Sequence, residues 1–148
     1  MRLVLDTNTV LALWHFADPG LVPLAAALGG GRFILASRED ALEELHQVLA
    51  RPRFGIRPEE QARIIEHYRG YLAPVPASAS GLEEGCPLPL CRDRDDQKFL
   101  EIARDSAAAC LLTRDKLLLK LNGHRLLRDR FRIMTPERFL AESAVLLF

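Results

Sequence analysis

Arg2-Leu3-Val4-Leu5-Asp6-Thr7-Asn8 sets a short run, apolar after its first residue, directly against an acid. A run without alternation reads as a strand buried on both faces, the pattern of a parallel sheet. A second stretch, Ala109-Cys110-Leu111-Leu112-Thr113-Arg114-Asp115, repeats the arrangement: an apolar segment followed by an acid. Ligands of open α/β sheets bind outside the carboxyl ends of strands. Asp6 and Asp115 are therefore expected to share one edge of the sheet, where Glu44 and Asp96 can join them.

Working outward, Thr7 through Phe16 reads as a helix ended by Asp18-Pro19-Gly20, and Leu21 to Leu28 as another ended by Gly29-Gly30-Gly31. The glycine run lacks the Lys-Ser/Thr of a phosphate loop, so helix termination explains it. Phe33-Ile34-Leu35-Ala36 is a second buried strand. Ser37 is expected to cap a helix, with Asp40 as its capping-box acid, that runs to Ala50 before Arg51-Pro52 stops it. Pro58 to Leu72 forms an amphipathic helix with Ala62, Ile65, Tyr68 and Leu72 on one stripe.

Residues 73 to 91 are rich in Pro, Ser, Ala and Gly and read as a long loop hiding a short strand at Leu88 to Leu90. A helix from Asp95 or Asp96 to Ala107 follows, then the Cys110 strand, a helix from Lys116 to Leu121, a strand from Phe131 to Met134 and a helix from Pro136. Thr135 is the expected N-cap of the last, with Pro136 at its first turn. Strands alternating with helices predict an α/β fold, a central and mostly parallel sheet with helices on both faces. At 148 residues, the chain is expected to form one domain over 1–148.

The 20 Lys and Arg balance the 20 Asp and Glu, so net charge argues neither for nor against nucleic acid. No run approaches the ~18 apolar residues of a membrane span, and the amino terminus does not resemble a signal peptide, which makes the cytoplasm the expected compartment. Three cysteines do not build a disulfide framework. Cys86 and Cys91 would need a second ligand pair to hold zinc, and His15, His46, His67 and His124 stand at no spacing that supplies one.

Helical geometry chooses among neighbouring acids. With Ala41, Leu42, Leu45, Val48 and Leu49 facing inward, Glu44 lies on the flank of the apolar stripe and Glu43 points nearly opposite. In the later helix, Phe99, Leu100, Ile102, Ala103 and Ser106 define the inward face; Asp96 projects about 40° from its centre, Asp95 lies further off and Asp93 further still. Taken singly, Asp96 and Asp115 also read as helix caps. Asp6 stands apart, because a carboxylate beside the core is costly unless paired or metal-bound. Together the four repel one another unless a divalent cation offsets them, and an all-oxygen set suits Mg²⁺ or Mn²⁺ better than zinc. Such a site can lower the pKa of a bound water and neutralise a departing oxygen at phosphorus.

Four segments, in order, resemble the PIN-domain family of small nucleases. Leu5-Asp6-Thr7-Asn8 resembles its opening LDTN. Glu43-Glu44-Leu45, with Val48-Leu49-Ala50-Arg51-Pro52-Arg53-Phe54, resembles its EEL helix and basic turn. Cys91-Arg92-Asp93-Arg94-Asp95-Asp96-Gln97-Lys98-Phe99-Leu100 with Ala103 resembles CRDPDDxKFLxxA, and Leu112-Thr113-Arg114-Asp115-Lys116 resembles LVTGDK.

The resemblance implies a three-layer α/β/α sandwich and an acidic pocket of Asp6, Glu44, Asp96 and Asp115 holding one or two Mg²⁺ or Mn²⁺ ions, with Asn8 and Thr113 as supporting polar contacts. It further implies cleavage of single-stranded RNA, a toxin role in a toxin-antitoxin module, an inhibitory antitoxin protein and a homodimer or higher homo-oligomer. Arg51, Arg53, Arg114, Lys116 and Lys120 are the candidate phosphate contacts. Two positions depart from the family pattern: Leu117 stands where a further Asp is common, and Arg94 replaces a Pro.

Other classes fit less well. Asp6-Thr7-Asn8-Thr9 approaches the DxDxT signature of haloacid-dehalogenase-like phosphatases, but the amide of Asn8 cannot serve as their general acid. A response-regulator receiver would want paired acids after the first strand. A non-catalytic PIN-like scaffold that binds RNA or protein is the remaining alternative, and Leu117 is the feature that supports it.

Overall fold

The computed structural model describes residues 1–73 and 86–147. Its centre is a four-stranded, all-parallel sheet in the order β2-β1-β3-β4, built from β1 (Arg2–Leu5), β2 (Ile34–Ala36), β3 (Cys110–Leu112) and β4 (Arg132–Met134). Leu3 pairs with Leu35 on one side and Cys110 on the other, so β1 is interior to the sheet. A parallel sheet needs crossovers that cover its faces, and these are the helices. They are α1 (Thr7–Trp14), α2 (Val22–Gly29), α3 (Glu39–Leu49), α4 (Pro58–Arg69), α5 (Gln97–Asp105), α6 (Lys116–Leu119) and α7 (Pro136–Leu147).

Alternate strand residues face opposite layers. Leu3, Leu5, Leu35, Cys110, Leu112 and Met134 join a core shared with α1 to α4 and Phe139 of α7. Val4, Ala36, Leu111 and Ile133 join a second core with α5, Leu118 and Leu127. Leu3, Leu100, Leu111 and Leu112 are wholly buried, and each such side chain contributes roughly 1.5–3 kcal/mol through lost apolar surface. The result is the expected α/β/α sandwich.

Local chemistry differs from the sequence reading in four places. Arg38, not Ser37, occupies the N-cap of α3 and makes no side-chain cap bond; Asp40 instead accepts from two guanidinium nitrogens of Arg38, Nε and an Nη, and from the N–H of Ala41. In α4 the buried stripe is Ile64, Ile65 and Tyr68, with Ala62 exposed, because that face packs into the first core beside α3 and Trp14. Leu88 to Leu90 form no strand, and Leu90 is 85% exposed. Gln97 holds this segment from the side instead, accepting from Cys91 N and donating to Pro89 O. Finally, α5 begins at Gln97 and is preceded by a 3₁₀ turn at Arg94–Asp96, which Asp93 caps by accepting from Asp95 N. The rest of the expected loop, residues 74–85, lies outside the described residues.

Two expected helix boundaries hold. Chain reversal after α2 uses Gly30 as cap and Gly31 at φ 75°. Thr135 Oγ1 accepts from Arg138 N at the start of α7.

Candidate active site

The strand order reverses direction at β1: the chain leaves it toward β2 on one side and later crosses to β3 on the other. Such a switch point opens a crevice at the carboxyl ends of the strands. Asp6 follows β1 and Asp115 follows β3 by three residues, so both stand at that crevice. The lining of the resulting cavity, of about 210 Å³, includes Asp6, Asn8, Glu44, Asp96 and Asp115. All four acids singled out in the sequence thus come to one place, from segments up to 109 positions apart.

Asp6 is 4% exposed, and its desolvation is offset by hydrogen bonds to both oxygens. Oδ1 accepts from the backbone N–H of Thr9 at 2.9 Å and from Thr9 Oγ1 at 2.6 Å, making Asp6 the N-cap of α1. Oδ2 accepts from Thr113 Oγ1 at 2.5 Å. Thr113 in turn accepts from the N–H of Asp115 at 2.9 Å, tying the turn after β3 to the end of β1. Burial pushes the Asp6 carboxyl above its usual range, the Thr113 and Thr9 hydrogen bonds pull against that, and Asp115 adds a further push upward.

Asp115 caps α6 by accepting from Leu117 N at 2.8 Å. The cap reading and the pocket reading are both satisfied there, one oxygen serving the helix. Glu44 lies on the flank of α3, with Glu43 exposed, as the helical geometry requires. It accepts from Thr7 Oγ1 and forms an ion pair with Lys98 at 3.1 Å.

Asp96 is the least compensated of the four. It sits before α5 but makes no side-chain cap bond, so it is not held as a cap. Burial raises its pKa to about 7, reinforced by Asp115, Asp93, Asp6 and Glu44. Asp93 and Asp95, read from helical geometry as lying further from the inward face than Asp96, also line the cavity, because the Arg94–Asp96 turn that Asp93 caps is 3₁₀ and does not follow the helical step.

Several residues escaped the sequence reading. Thr9 and Thr7 bind Asp6 and Glu44, and Lys98 neutralises Glu44. Thr7 and Thr9 flank Asn8 immediately after the strand acid, and that spacing is the signal that could have found them. Of the expected polar contacts, Thr113 is an Asp6 partner, and Asn8 is exposed at the cavity wall. Of the expected phosphate contacts, Arg51 and Arg53 line the cavity. Arg114 does not; it bridges Asp18 and Glu137. Lys116 and Lys120 are exposed and are not among the lining residues.

A hard divalent cation suits this donor set. The lining acids offer oxygen alone, and the mutual repulsion that adds to the burial of Asp96 is what a cation would relieve. Among the described residues no three of His, Cys, Asp and Glu come close enough to hold an ion by themselves. Mg²⁺ ordinarily keeps several waters and takes one or two carboxylates directly, so carboxylates spread around a cavity remain compatible with it. The cysteines are all free, with Cys91 and Cys110 buried.

Fold and cavity together define an α/β protein with a carboxylate-lined crevice at its topological switch point. A PIN-domain family model matches residues 2–117, a span that takes in all four acids. The chain belongs to the PIN-domain family, whose members are generally nucleases and typically bind divalent metals. A search of curated proteins finds no significant match.

Proposed function

We propose that this chain, acting as one domain over 1–148, is a metal-dependent endoribonuclease that cleaves single-stranded RNA in the cytoplasm. The observation that carries the reading is the convergence of Asp6, Glu44, Asp96 and Asp115 on one cavity, with Asp96 lifted to about 7 by burial and, beyond that, by its acidic neighbours. These four would hold Mg²⁺ or Mn²⁺, which when bound supplies an activated water and offsets charge on the phosphodiester.

The protein's own residues do the preparatory work. Thr9 and Thr113 hold Asp6 ionisable inside the core and fix its oxygens. Lys98 pairs with Glu44 at the cavity, and Arg51 and Arg53 provide cations on its wall for the RNA backbone.

The toxin role belongs to the same reading. An antitoxin protein would silence the enzyme by occupying the acidic cavity, and a homodimer or higher homo-oligomer would present more than one such cavity. Neither follows from the geometry of one chain; both come with the family resemblance.

The test is cleavage of a long single-stranded RNA by the purified chain. Activity is expected with Mg²⁺ or Mn²⁺, is lost in EDTA, and is lost in Asp6→Asn. A variant that cleaves as well as the wild type would remove the site. Metal-independent RNA binding without any cleavage would favour the non-catalytic scaffold, for which the Glu44–Lys98 ion pair and Leu117 speak.

A further inference from the structure

Beside the acidic cavity lies a group of rings that the chemistry above does not use. Phe16 is 60% exposed, unusual for so large an apolar side chain. Its ring meets His15 at 4.6 Å and Phe54 at 6.1 Å between centroids, and His15 meets Phe54 at 5.9 Å. The end of α1 sets Phe16 there. The N–H groups of Phe16 and Asp18 reach back to the carbonyls of Leu11 and Ala12, and Ala17 between them sits at φ 48°. That left-handed conformation is disfavoured for a residue with a Cβ, so the exposed ring is held out at a backbone cost.

Arg53 joins the rings to the cavity. It lines the cavity wall, and its guanidinium carbon lies 4.9 Å from the centroid of the Phe54 ring. Arg51 and Arg53 are both exposed, and among the described residues neither forms an ion pair. Gly55, left-handed at φ 59°, ends the Pro52–Phe54 turn that presents both Arg53 and Phe54. The order across the surface is thus acids, then an arginine without an ion pair among the described residues, then a ring cluster of half-buried His15 and Phe54 with Phe16 exposed at its edge.

That order matches the alternation of phosphate and base along an unpaired nucleic-acid strand. Aromatic faces accept any base by stacking, and arginine serves both the backbone phosphate and the ring face. A second protein chain would bury the rings as well, but nothing in it calls for free cations between the rings and an acidic cavity.

We propose that Phe16, Phe54 and His15 form a stacking platform for an unpaired RNA base adjoining the acidic cavity, with Arg53 holding the phosphate between them. The proposal rests on the single-strand nuclease reading and gives that site its substrate-positioning surface. The platform is sequence-tolerant and selects unpaired strands, because a base within a duplex cannot lay its face on it.

The experiment measures binding of a labelled short oligoadenylate and of an equally long strand with abasic riboses, by fluorescence anisotropy, to the full chain with Ca²⁺ present. Wild type is expected to prefer the base-bearing strand by about tenfold. Phe16→Ala should abolish most of that preference, and Phe54→Leu, which keeps the apolar bulk packed against the core, should do the same without unfolding. Arg53→Ala should weaken both strands alike. In Mg²⁺, Phe16→Ala should raise KM for RNA cleavage and leave kcat nearly unchanged.

Equal binding of the two strands by wild type, or an undiminished preference in Phe16→Ala, would overturn the platform. So would sedimentation showing that Phe16→Ala turns an oligomer into a monomer while the base preference persists. A base preference in a chain that cleaves neither strand with Mg²⁺ or Mn²⁺ would uphold the platform and sink the nuclease reading. Cleavage without base preference would do the reverse.

Discussion

Thr113 Oγ1 donates to Asp6 Oδ2 at 2.5 Å while accepting from the N–H of Asp115 at 2.9 Å, so one buried hydroxyl links the acids that end β1 and β3. Thr113 itself is wholly buried. Thr113→Val keeps the shape and removes both bonds. We expect a loss of about 1–3 kcal/mol in urea unfolding, since Asp6 is left with an unsatisfied oxygen in the core. RNA cleavage should fall at the same time. A variant with unchanged stability would show that Asp6 is solvated from elsewhere.

Asp96 makes a pH prediction for metal-free protein. Its folded pKa of about 7 stands above the ordinary 3.8, so the folded state keeps a proton that the unfolded chain has released. Stability should therefore fall as pH rises from about 4 to about 7, and the cost is fully present above that window. Asp96→Asn removes the group. In EDTA at pH 8 it should melt no lower than wild type, and the two melting curves should converge toward pH 4. A fall of several degrees would show that the Asp96 carboxylate stabilises the start of α5.

Lys98 competes with a cation for Glu44. Its Nζ lies 3.1 Å from Glu44 Oε1 and donates to the Asp95 carbonyl at 2.5 Å. Lys98→Met keeps the stem and removes the charge. Mn²⁺ titration by calorimetry should show tighter binding than wild type, because the cavity gains a net negative charge. Weaker binding would mean that Lys98 orients Glu44 for the metal.

Arg114 and Arg53 should separate cleanly. Arg114 bridges Asp18 and Glu137 and is half-exposed, so Arg114→Ala should cost at most about 1 kcal/mol and leave RNA affinity unchanged. Arg53→Ala should leave stability unchanged and flatten the salt dependence of RNA binding by about one phosphate contact. Reversed outcomes would place the RNA path over α7 instead.

Leu111 tests the sheet itself. It is wholly buried between Val4 and Ile133 in the second core. Leu111→Ala should destabilise by about 2–5 kcal/mol in chemical denaturation. Cleavage measured well below the melting temperature should change little, because the cavity lies beyond the strand end.

What was legible in the sequence follows from what is local. Strands buried on both faces must be apolar throughout, and Leu3-Val4-Leu5 and Leu111-Leu112 therefore announce themselves. Glu44 could be told from Glu43 because both belong to one regular helix. Asp93 and Asp95 could be ranked only loosely for the complementary reason: the turn they belong to or cap is 3₁₀, and a 100° step does not apply to it. The capping of α3 was missed because Asp40 pairs with the neighbouring Arg38 guanidinium, and the course of Leu88 to Leu90 because Gln97 reaches back to it from the following helix.

The sequence by itself determined the α/β class, the strand ends at which acids stand and the family, since each is written in short-range apolar pattern and ordered motifs. Only the tertiary structure decided which acid is paired, that Arg114 is tied down while Arg53, among the described residues, forms no ion pair, and that Phe16 and Phe54 meet beside the cavity. These depend on distances between segments that no periodicity encodes. Charge and stacking energies act through space over a few ångströms, and the fold alone brings residues 16, 54 and 96 to one surface.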